Sequence, residues 1–224
     1  MPAPSPRIAS ARVAAFLLAA LGLFWAAQPP GTALAQAIDP ASLTADFPER
    51  DRLPQTDAPE SAWYSGRYGS WGPRARTYPG VEAPKGADPS AWKRLRVAAV
   101  ARRHEGLAYR HHHIPAWNPG EGQGLDCSNF TSWVYNYGLG VGFTSLISAQ
   151  ADGPQAPGRR LAPGEPFKVG DLLFITTKSG ARVSHVVLWL GEGRIIDSHG
   201  EGVRVRRFTG WYSECFSHAR RVVE

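Results

Sequence analysis

The chain has 224 residues, of which 43% are hydrophobic and 20% are charged, a composition typical of a globular protein rather than a disordered one. This length is sufficient for one well-cored domain with additional segments. The formal net charge is +6, but the basic residues are scattered and form no dense stripe. Nucleic acid is therefore not expected as a partner.

Residues 1–35 have the pattern of a secretory signal peptide. Arg7 and Arg12 precede an apolar stretch at residues 13–27, and a small-residue run follows at 33–35. The apolar stretch is shorter than the roughly 20 residues that span a membrane, so we expect export with cleavage and no stable membrane span afterwards. An uncleaved anchor is the alternative. Cleavage would lower the net charge to about +4, which still favours an anionic surface.

Residues 36–88 are rich in proline, glycine and serine and show little periodicity. This composition predicts an extended lead segment that packs against the following domain or links it to the exit point. The regular patterns lie in residues 89–224, which we interpret as the folded domain.

Two helices are predicted at the start of this domain. The first is capped by Ser90 and ends near Gly106, with Leu95 among the residues of its apolar face. A loop of about twenty residues follows, and loops of that length are often functional. The second helix begins at Cys127 and ends near Gly138.

The hydrophobic period then changes to two, which predicts strands. A tight turn at Gly191, Glu192 and Gly193 joins two of them into a hairpin. Helices followed by a strand meander predict an α+β fold, with the helices on one side of an antiparallel sheet. The five predicted strands are residues 171–176, 184–190, 194–198, 203–207 and 219–223.

Cys127 is a candidate nucleophile because it opens a helix, where unpaired backbone N–H groups favour a thiolate. A buried structural cysteine is the alternative interpretation. Cys215 is the second cysteine, and two cysteines in an exported protein usually suggest a disulfide. The surroundings of Cys127 favour a free thiol, and we expect Cys215 to be a packed thiol.

A nucleophilic cysteine needs a base, and the base needs a third group to orient its ring. His185 opens an apolar strand after a polar loop, which suits the base. Asp197 and His199 share one face of the next strand. A register symmetric about Glu192 would place His199 opposite His185 and Asp197 on the diagonal, within reach of a long side chain. Spacing alone does not choose between them.

Three motifs occur in order along the chain: Leu-Asp-Cys-Ser at 125–128, Val-Gly-Asp-Leu-Leu-Phe at 169–174, and Ser-His-Val-Val at 184–187 followed by Leu-Gly at 190–191. With the preceding helix they span residues 95–223, nearly all of the structured part of the chain. Together these motifs resemble the NlpC family of papain-like cell-wall cysteine peptidases.

The resemblance implies a papain-like fold with helices on one side of a five- to six-stranded antiparallel sheet. It also implies a peptidase that cuts stem peptides of peptidoglycan, typically between γ-linked D-glutamate and a diamino acid. We accordingly expect a monomer without a cofactor in the periplasm or cell wall of a bacterium. An amidase or acyltransferase on the same scaffold, or a non-enzymatic wall-binding protein, is the alternative.

By the same resemblance Cys127 is the nucleophile and His185 its base. The family's third residue, twelve positions after the histidine, corresponds to Asp197, where the family more often has histidine; His199 remains the alternative. Tyr109 resembles a tyrosine that assists at the oxyanion, with loop packing as the alternative. Two further residues, Asp126 and Ser128, are expected to hold the amine of the substrate, with helix capping as a competing role of Asp126.

Two departures from the family pattern stand near the proposed nucleophile. Asn129 replaces the usual glycine after the Cys-Ser pair, which predicts a narrower groove. His111, His112 and His113 replace an aromatic residue and two glycines. A zinc site is conceivable there, but no cysteine or carboxylate lies at ligand spacing, so no metal is expected. Lining of the substrate groove or plain surface is the preferred role.

Overall fold

The structure, a computed structural model, describes residues 37–67, 69–116 and 122–224. The predicted signal peptide lies outside these residues. Within the described ranges, no helix is both long enough and apolar enough to cross a bilayer.

The lead segment contains short helices and packs on the rest of the chain. Its helix α1 (Phe47–Asp51) is accompanied by 3₁₀ turns at Pro40–Leu43, Glu60–Ala62 and Gly69–Trp71. The carboxylate of Asp46 lies 2.8 Å from Arg50 Nε and 2.7 Å from Arg96 Nη2, and both arginines are buried. The Nη1 atom of Arg50 also donates to the carbonyl oxygen of Tyr137 at 2.8 Å. These bonds join the segment to the helices of the domain.

Helix α2 (Pro89–Arg103) begins two residues earlier than a cap at Ser90 predicts. Asp88, not Ser90, is the N-cap, and its carboxylate accepts from Ala91 N at 2.7 Å. A proline in the first helical position favours this start, because its φ angle is already helical. Leu95 does not belong to the apolar face as expected, since it is 38% exposed. The core side of the helix consists of Val97, Val100 and Ala101.

Helix α3 (Cys127–Leu139) is buried over nearly its whole length and packs on α2 and on the sheet. It ends at Leu139 with Gly140 as its C-cap, so Gly138, which the sequence placed near the end, lies inside the helix. Gly140 has a φ of 71°, a conformation that glycine adopts without a steric cost, and its N–H bonds to Asn136 O at 2.8 Å. The shorter α4 (Ile147–Asp152) follows.

The sheet has six antiparallel strands in the order β1-β6-β2-β3-β4-β5. The predicted five- to six-stranded α+β fold is therefore confirmed. The elements in chain order are β1 (Arg159–Arg160), β2 (Leu172–Thr176), β3 (Val183–Gly191), β4 (Arg194–His199), β5 (Gly202–Arg207), α5 (Trp211–Glu214) and β6 (Phe216–Arg221).

Both faces of the sheet are buried, by different means. On one face, Phe174, Val186 and Leu188 share a core with residues of α2, α3 and α4. On the other face, Val187 and Ile195 pack under an aromatic layer. That layer is formed by Phe167, Trp189, Phe208, Trp211, Tyr212 and Phe216. Burial of both faces holds the strands firmly, and the start of α3 lies against them.

Candidate active site

Cys127 is the first residue of α3, as the sequence predicted, and is 7% exposed. Asp126 is the N-cap of this helix and accepts from Asn129 N at 2.9 Å. Ser198 Oγ of β4 donates to the carbonyl oxygen of Leu125 at 2.6 Å, which ties the helix start to the sheet. The sulfur thus sits where unpaired backbone N–H groups stabilise negative charge.

His185, on β3, is 3% exposed and contacts both Cys127 and Asp197. Its Nε2 atom lies 2.6 Å from Asp197 Oδ2, and the Cys127 side chain lies close enough to the ring to raise its pKa. Because Asp197 uses Nε2, the Nδ1 atom is the one that can exchange a proton with the thiol. Burial disfavours the cation, but the interactions with Asp197 and Cys127 outweigh it and raise the pKa of His185 to about 9.

Asp197 is fully buried and carries three hydrogen bonds from side chains. Besides His185, Tyr212 Oη donates to Oδ2 at 2.9 Å and Arg206 Nε donates to Oδ1 at 3.0 Å. Burial alone would raise the pKa of this carboxyl, but these partners hold it below its usual value. Asp197 is therefore a buried carboxylate aimed at the imidazole, a position that fixes the ring tautomer.

His199 takes a different place beside the same ring. Its ring centroid is 5.1 Å from that of His185, in an edge-to-face contact, and its side chain is exposed. Although the residue is exposed, partial desolvation of its ring against its neighbours and the nearby positive charge of His185 lower the pKa of His199. Of the two candidates for the third position, Asp197 is the one hydrogen-bonded to the imidazole.

The register of the β3–β4 hairpin shows how Asp197 reaches His185. Leu188 pairs with Ile196 and Trp189 with Ile195, which is the register symmetric about Glu192 that the turn predicts. The register shifts by one residue next to the turn, where Glu192 has a φ of 52°. Asp197 therefore lies diagonal to His185, and its carboxylate spans that diagonal.

Three side chains of the site come from parts of the chain that the sequence analysis did not single out. Arg206 lies on β5 opposite Ile195, and Tyr212 and Trp211 belong to α5. The Trp211 ring is 5.5 Å from the ring of His185 and covers it. Strand alternation could have placed Arg206 on the face of Asp197, but no pattern in the sequence signals the return of α5 to the site.

Tyr109 is brought to the site by a short parallel bridge between Ala108 and Gly124. Leu125 N donates to Ala108 O at 3.1 Å, so the tyrosine loop and the start of α3 form one unit. A Cβ atom on Gly124 would overlap the neighbouring Arg110 side chain, so only glycine allows this approach. Burial, together with the negative charges of Cys127 and Asp126, raises the pKa of Tyr109 to about 12, which keeps its phenol a hydrogen-bond donor.

Asp126 and Ser128 bond to one another and to the first turn of α3. Ser128 Oγ donates to Asp126 Oδ1 at 3.1 Å, and Asn129 Nδ2 donates to Oδ2 at 2.8 Å. Asp126 and Ser128 are 3% and 6% exposed. The structure thus displays the capping role of Asp126, and binding of a substrate amine stays a prediction.

The histidine run at 111–113 and Asn129, the two departures from the family pattern, are both linked to the carboxylate of Asp126. His111 Nδ1 lies 3.4 Å from Asp126 Oδ2, and His113 Nδ1 lies 2.9 Å from Asn129 Oδ1. Trp71 of the lead segment packs on both imidazoles, with ring centroids 4.8 Å and 5.7 Å away. Across the described ranges, no three histidine, cysteine or acidic side chains are grouped as metal ligands.

The two cysteines, Cys127 and Cys215, do not form a disulfide bond with one another. Cys127 and Cys215 are both free thiols, as expected, and Cys215 packs in the aromatic layer on the far face of the sheet.

A shallow pocket next to His185 is lined by Thr177, Lys178, Ser184, His199 and Trp211.

A buried Cys, His and Asp, with the cysteine at a helix start and the histidine on an antiparallel sheet, define the papain-like class of cysteine peptidase architecture. The model of the NlpC/P60 family matches residues 115–221, a range that contains these three side chains. The match covers a little under half of the chain, which over this domain is similar to the NlpC/P60 family. Members of this family are cysteine-type cell-wall endopeptidases.

Relatives of known sequence agree with this assignment. A protein of Listeria grayi named "Probable endopeptidase p60" is 30% identical over 112 residues, which cover 50% of this chain and 19% of that relative. The protein of the same name in Listeria monocytogenes is 29% identical over 117 residues, which cover 51% of this chain and 21% of that relative. The chain therefore matches about a fifth of the length of these relatives.

Solved structures with similarity include an NlpC/P60 family protein of Bacillus cereus, at 26% identity and a TM-score of 0.48, with 57% of this chain and 39% of that one covered. The peptidoglycan hydrolase RipB of Mycobacterium tuberculosis is 23% identical with a TM-score of 0.48, with 64% and 74% covered.

Proposed function

We propose that this protein is a cysteine peptidase that cuts an amide bond in the stem peptides of peptidoglycan. The observation that carries the proposal is the placement of His185 beside Cys127, with its ring 2.6 Å from the carboxylate of the buried Asp197. The similarity of residues 115–221 to the NlpC/P60 family and the endopeptidase name of the Listeria relatives support the same substrate class.

The charges of His185 and Asp197 support Cys127 as an activated nucleophile. With a pKa of about 9, His185 is largely protonated at neutral pH, and an imidazolium next to Cys127 favours the thiolate. The negative charge of Asp197 stabilises that cation without taking its proton.

In the first half of the reaction, Cys127 Sγ attacks the carbonyl carbon of the scissile amide and forms a C–S bond. The oxyanion that develops is met by the backbone N–H of Cys127 and by the phenol of Tyr109. His185 gives its Nδ1 proton to the amide nitrogen, the C–N bond breaks, and the amine leaves. A thioester remains on the enzyme.

In the second half, His185 is neutral and takes a proton from water. The resulting hydroxide attacks the thioester, the C–S bond breaks, and the carboxylic acid product leaves. The imidazole again holds a proton and the sulfur is again a thiolate, so the starting state is restored. Asp197 keeps the ring in one tautomer through both halves.

The finer assignments rest on the resemblance of the motifs. We propose the bond between γ-linked D-glutamate and the diamino acid as the scissile bond, and a monomer exported to the periplasm or cell wall, with residues 1–35 as the signal peptide. The predicted amine-binding role of Asp126 and Ser128 is not part of this proposal, because their side chains are bonded to one another and Asp126 also accepts from Asn129.

The test is a digest of purified muropeptides by the wild type, Cys127→Ala and Cys215→Ala, read by mass spectrometry. We expect products from the wild type and from Cys215→Ala, which keeps the proposed nucleophile, and none from Cys127→Ala. Product masses identify the bond and distinguish an endopeptidase from an amidase. Equal product from the wild type and Cys127→Ala would end the proposal, and no product from either would favour a wall-binding protein.

A further inference from the structure

An exposed aromatic surface lies beside the N-cap of α3, on the side of Cys127 that faces the lead segment. Trp71 is 40% exposed, and the side chain of His111 is 62% exposed. Their rings lie 4.8 Å apart, and Tyr109 meets His111 edge-to-face at 5.3 Å. We call Trp71 and His111 the Trp71 platform.

The Trp71 platform is held in place by contacts with residues at the start of α3 and in the histidine run. His111 is paired with the buried Asp126, and the backbone N–H of His113 donates to Trp71 O at 3.2 Å. His113 is itself bonded to Asn129 of α3. Large exposed rings fixed by buried partners lose little conformational freedom when a ligand packs on them, which favours binding.

The carboxylate beneath the platform is poorly suited to an ammonium group. Asp126 already accepts bonds from Ser128 and Asn129 and pairs with His111, and its side chain is 5% exposed. A free amino terminus would have to give up its hydration and displace one of these partners. A neutral acylated terminus has no such requirement and can pack on the rings.

The direction of the substrate follows from the proposed chemistry. His185 must reach the leaving nitrogen, so the part released first lies on the side of His185 and Trp211. The acyl part, which carries the amino-terminal end of the stem peptide, then lies toward Asp126 and the platform. In intact peptidoglycan this end is acylated by the glycan strand, whereas in a released stem peptide it is a free ammonium.

We propose that the Trp71 platform binds the acylated amino-terminal end of the stem peptide and thereby selects stems still attached to glycan over free stem peptides. The inference rests on the proposed function, because it assumes that stem peptides occupy the groove. Trp71 and His111 act here as specificity-determining residues supplied by the lead segment and the histidine run.

The test compares two substrates with the same scissile bond: a tripeptide of L-alanine, γ-D-glutamate and diaminopimelate with a free amino terminus, and the same peptide N-acetylated. We expect wild-type kcat/KM to be about tenfold higher on the acetylated peptide. Trp71→Ala should bring this ratio close to one, and Trp71→Phe should keep most of it. Leu95→Ala, which removes an equally exposed side chain from α2, should keep the wild-type ratio.

A wild-type ratio of one or less would overturn the inference, as would a Trp71→Ala variant that loses activity equally on both peptides. Calorimetry with Cys127→Ala tests the preference without turnover: tighter binding of the acetylated peptide supports it, and equal binding refutes it. If the wild type cleaves neither peptide, the proposed function fails, while the binding measurement still decides whether the platform discriminates.

Discussion

The Nε2 atom of His185 lies 2.6 Å from Oδ2 of Asp197, and neither side chain is more than 4% exposed. A buried carboxylate this close stabilises the imidazolium and orients its ring at once. Arg206 and Tyr212 both donate hydrogen bonds to Asp197, and Cys127 lies beside His185, so the charges of the site are centred on this pair.

Asp197→Asn should move the basic limb of the pH profile. The pKa of His185 is raised to about 9, so the protonated ring is present below that pH and is lost above it. The amide that replaces the carboxylate carries no charge, so the limb should shift to lower pH and kcat/KM at pH 8 should fall at least about tenfold. Profiles of kcat/KM on muropeptides measure this. A larger shift with His199→Asn than with Asp197→Asn would identify His199 as the third residue.

Tyr212→Phe should affect the acid limb instead. The phenol donates to Asp197 and helps to hold the pKa of that carboxyl below its usual value. Without this bond the pKa rises, so Asp197 becomes neutral at a higher pH and activity is lost earlier on acidification. Arg206→Gln should act in the same direction. Arg204→Gln, on the same strand but paired with Glu201, is the matched control, and an equal shift there would refute the positioning role.

Asp126→Ala should destabilise the fold more than Asp88→Ala does. Both residues cap helices, and loss of a cap costs about 1 kcal/mol. Asp88 is exposed, but Asp126 is buried and its loss also leaves Ser128 and Asn129 without an acceptor, at about 1–3 kcal/mol for each unsatisfied group. Urea denaturation of the two variants measures the difference. Equal losses would show that the network around Asp126 contributes little to stability.

Asp46→Ala should show that the lead segment belongs to the folded unit. The substitution removes the anionic partner of Arg96 and Arg50, both nearly inaccessible to solvent, and should cost at least about 2 kcal/mol. Asp57→Ala removes an exposed carboxylate 3.8 Å from Arg76 and should cost less than about 1 kcal/mol. Thermal unfolding compares the two. A loss with Asp46→Ala no larger than that of the control would mean that the segment is dispensable for folding.

Local patterns were sufficient for much of the fold and of the site. Strand alternation and the glycine turn predicted the β3–β4 register, because neighbouring strands joined by a tight turn have little freedom to slip. The start of α3 at Cys127 was equally local. The predicted N-cap at Ser90 was wrong, because Asp88 caps α2, and Gly140 rather than Gly138 is the C-cap of α3. Caps depend on which backbone groups are left unpaired in the folded state.

The sequence by itself determined the α+β class, the cysteine at a helix start and the histidine at the opening of a strand, because each depends on residues close together in the chain. Only the tertiary structure decided that Asp197 bonds to His185, that Arg206 and Tyr212 hold Asp197, and that Trp71 lies on His111. Those contacts join distant segments, and their geometry depends on how the sheet and the lead segment pack, which no local pattern encodes.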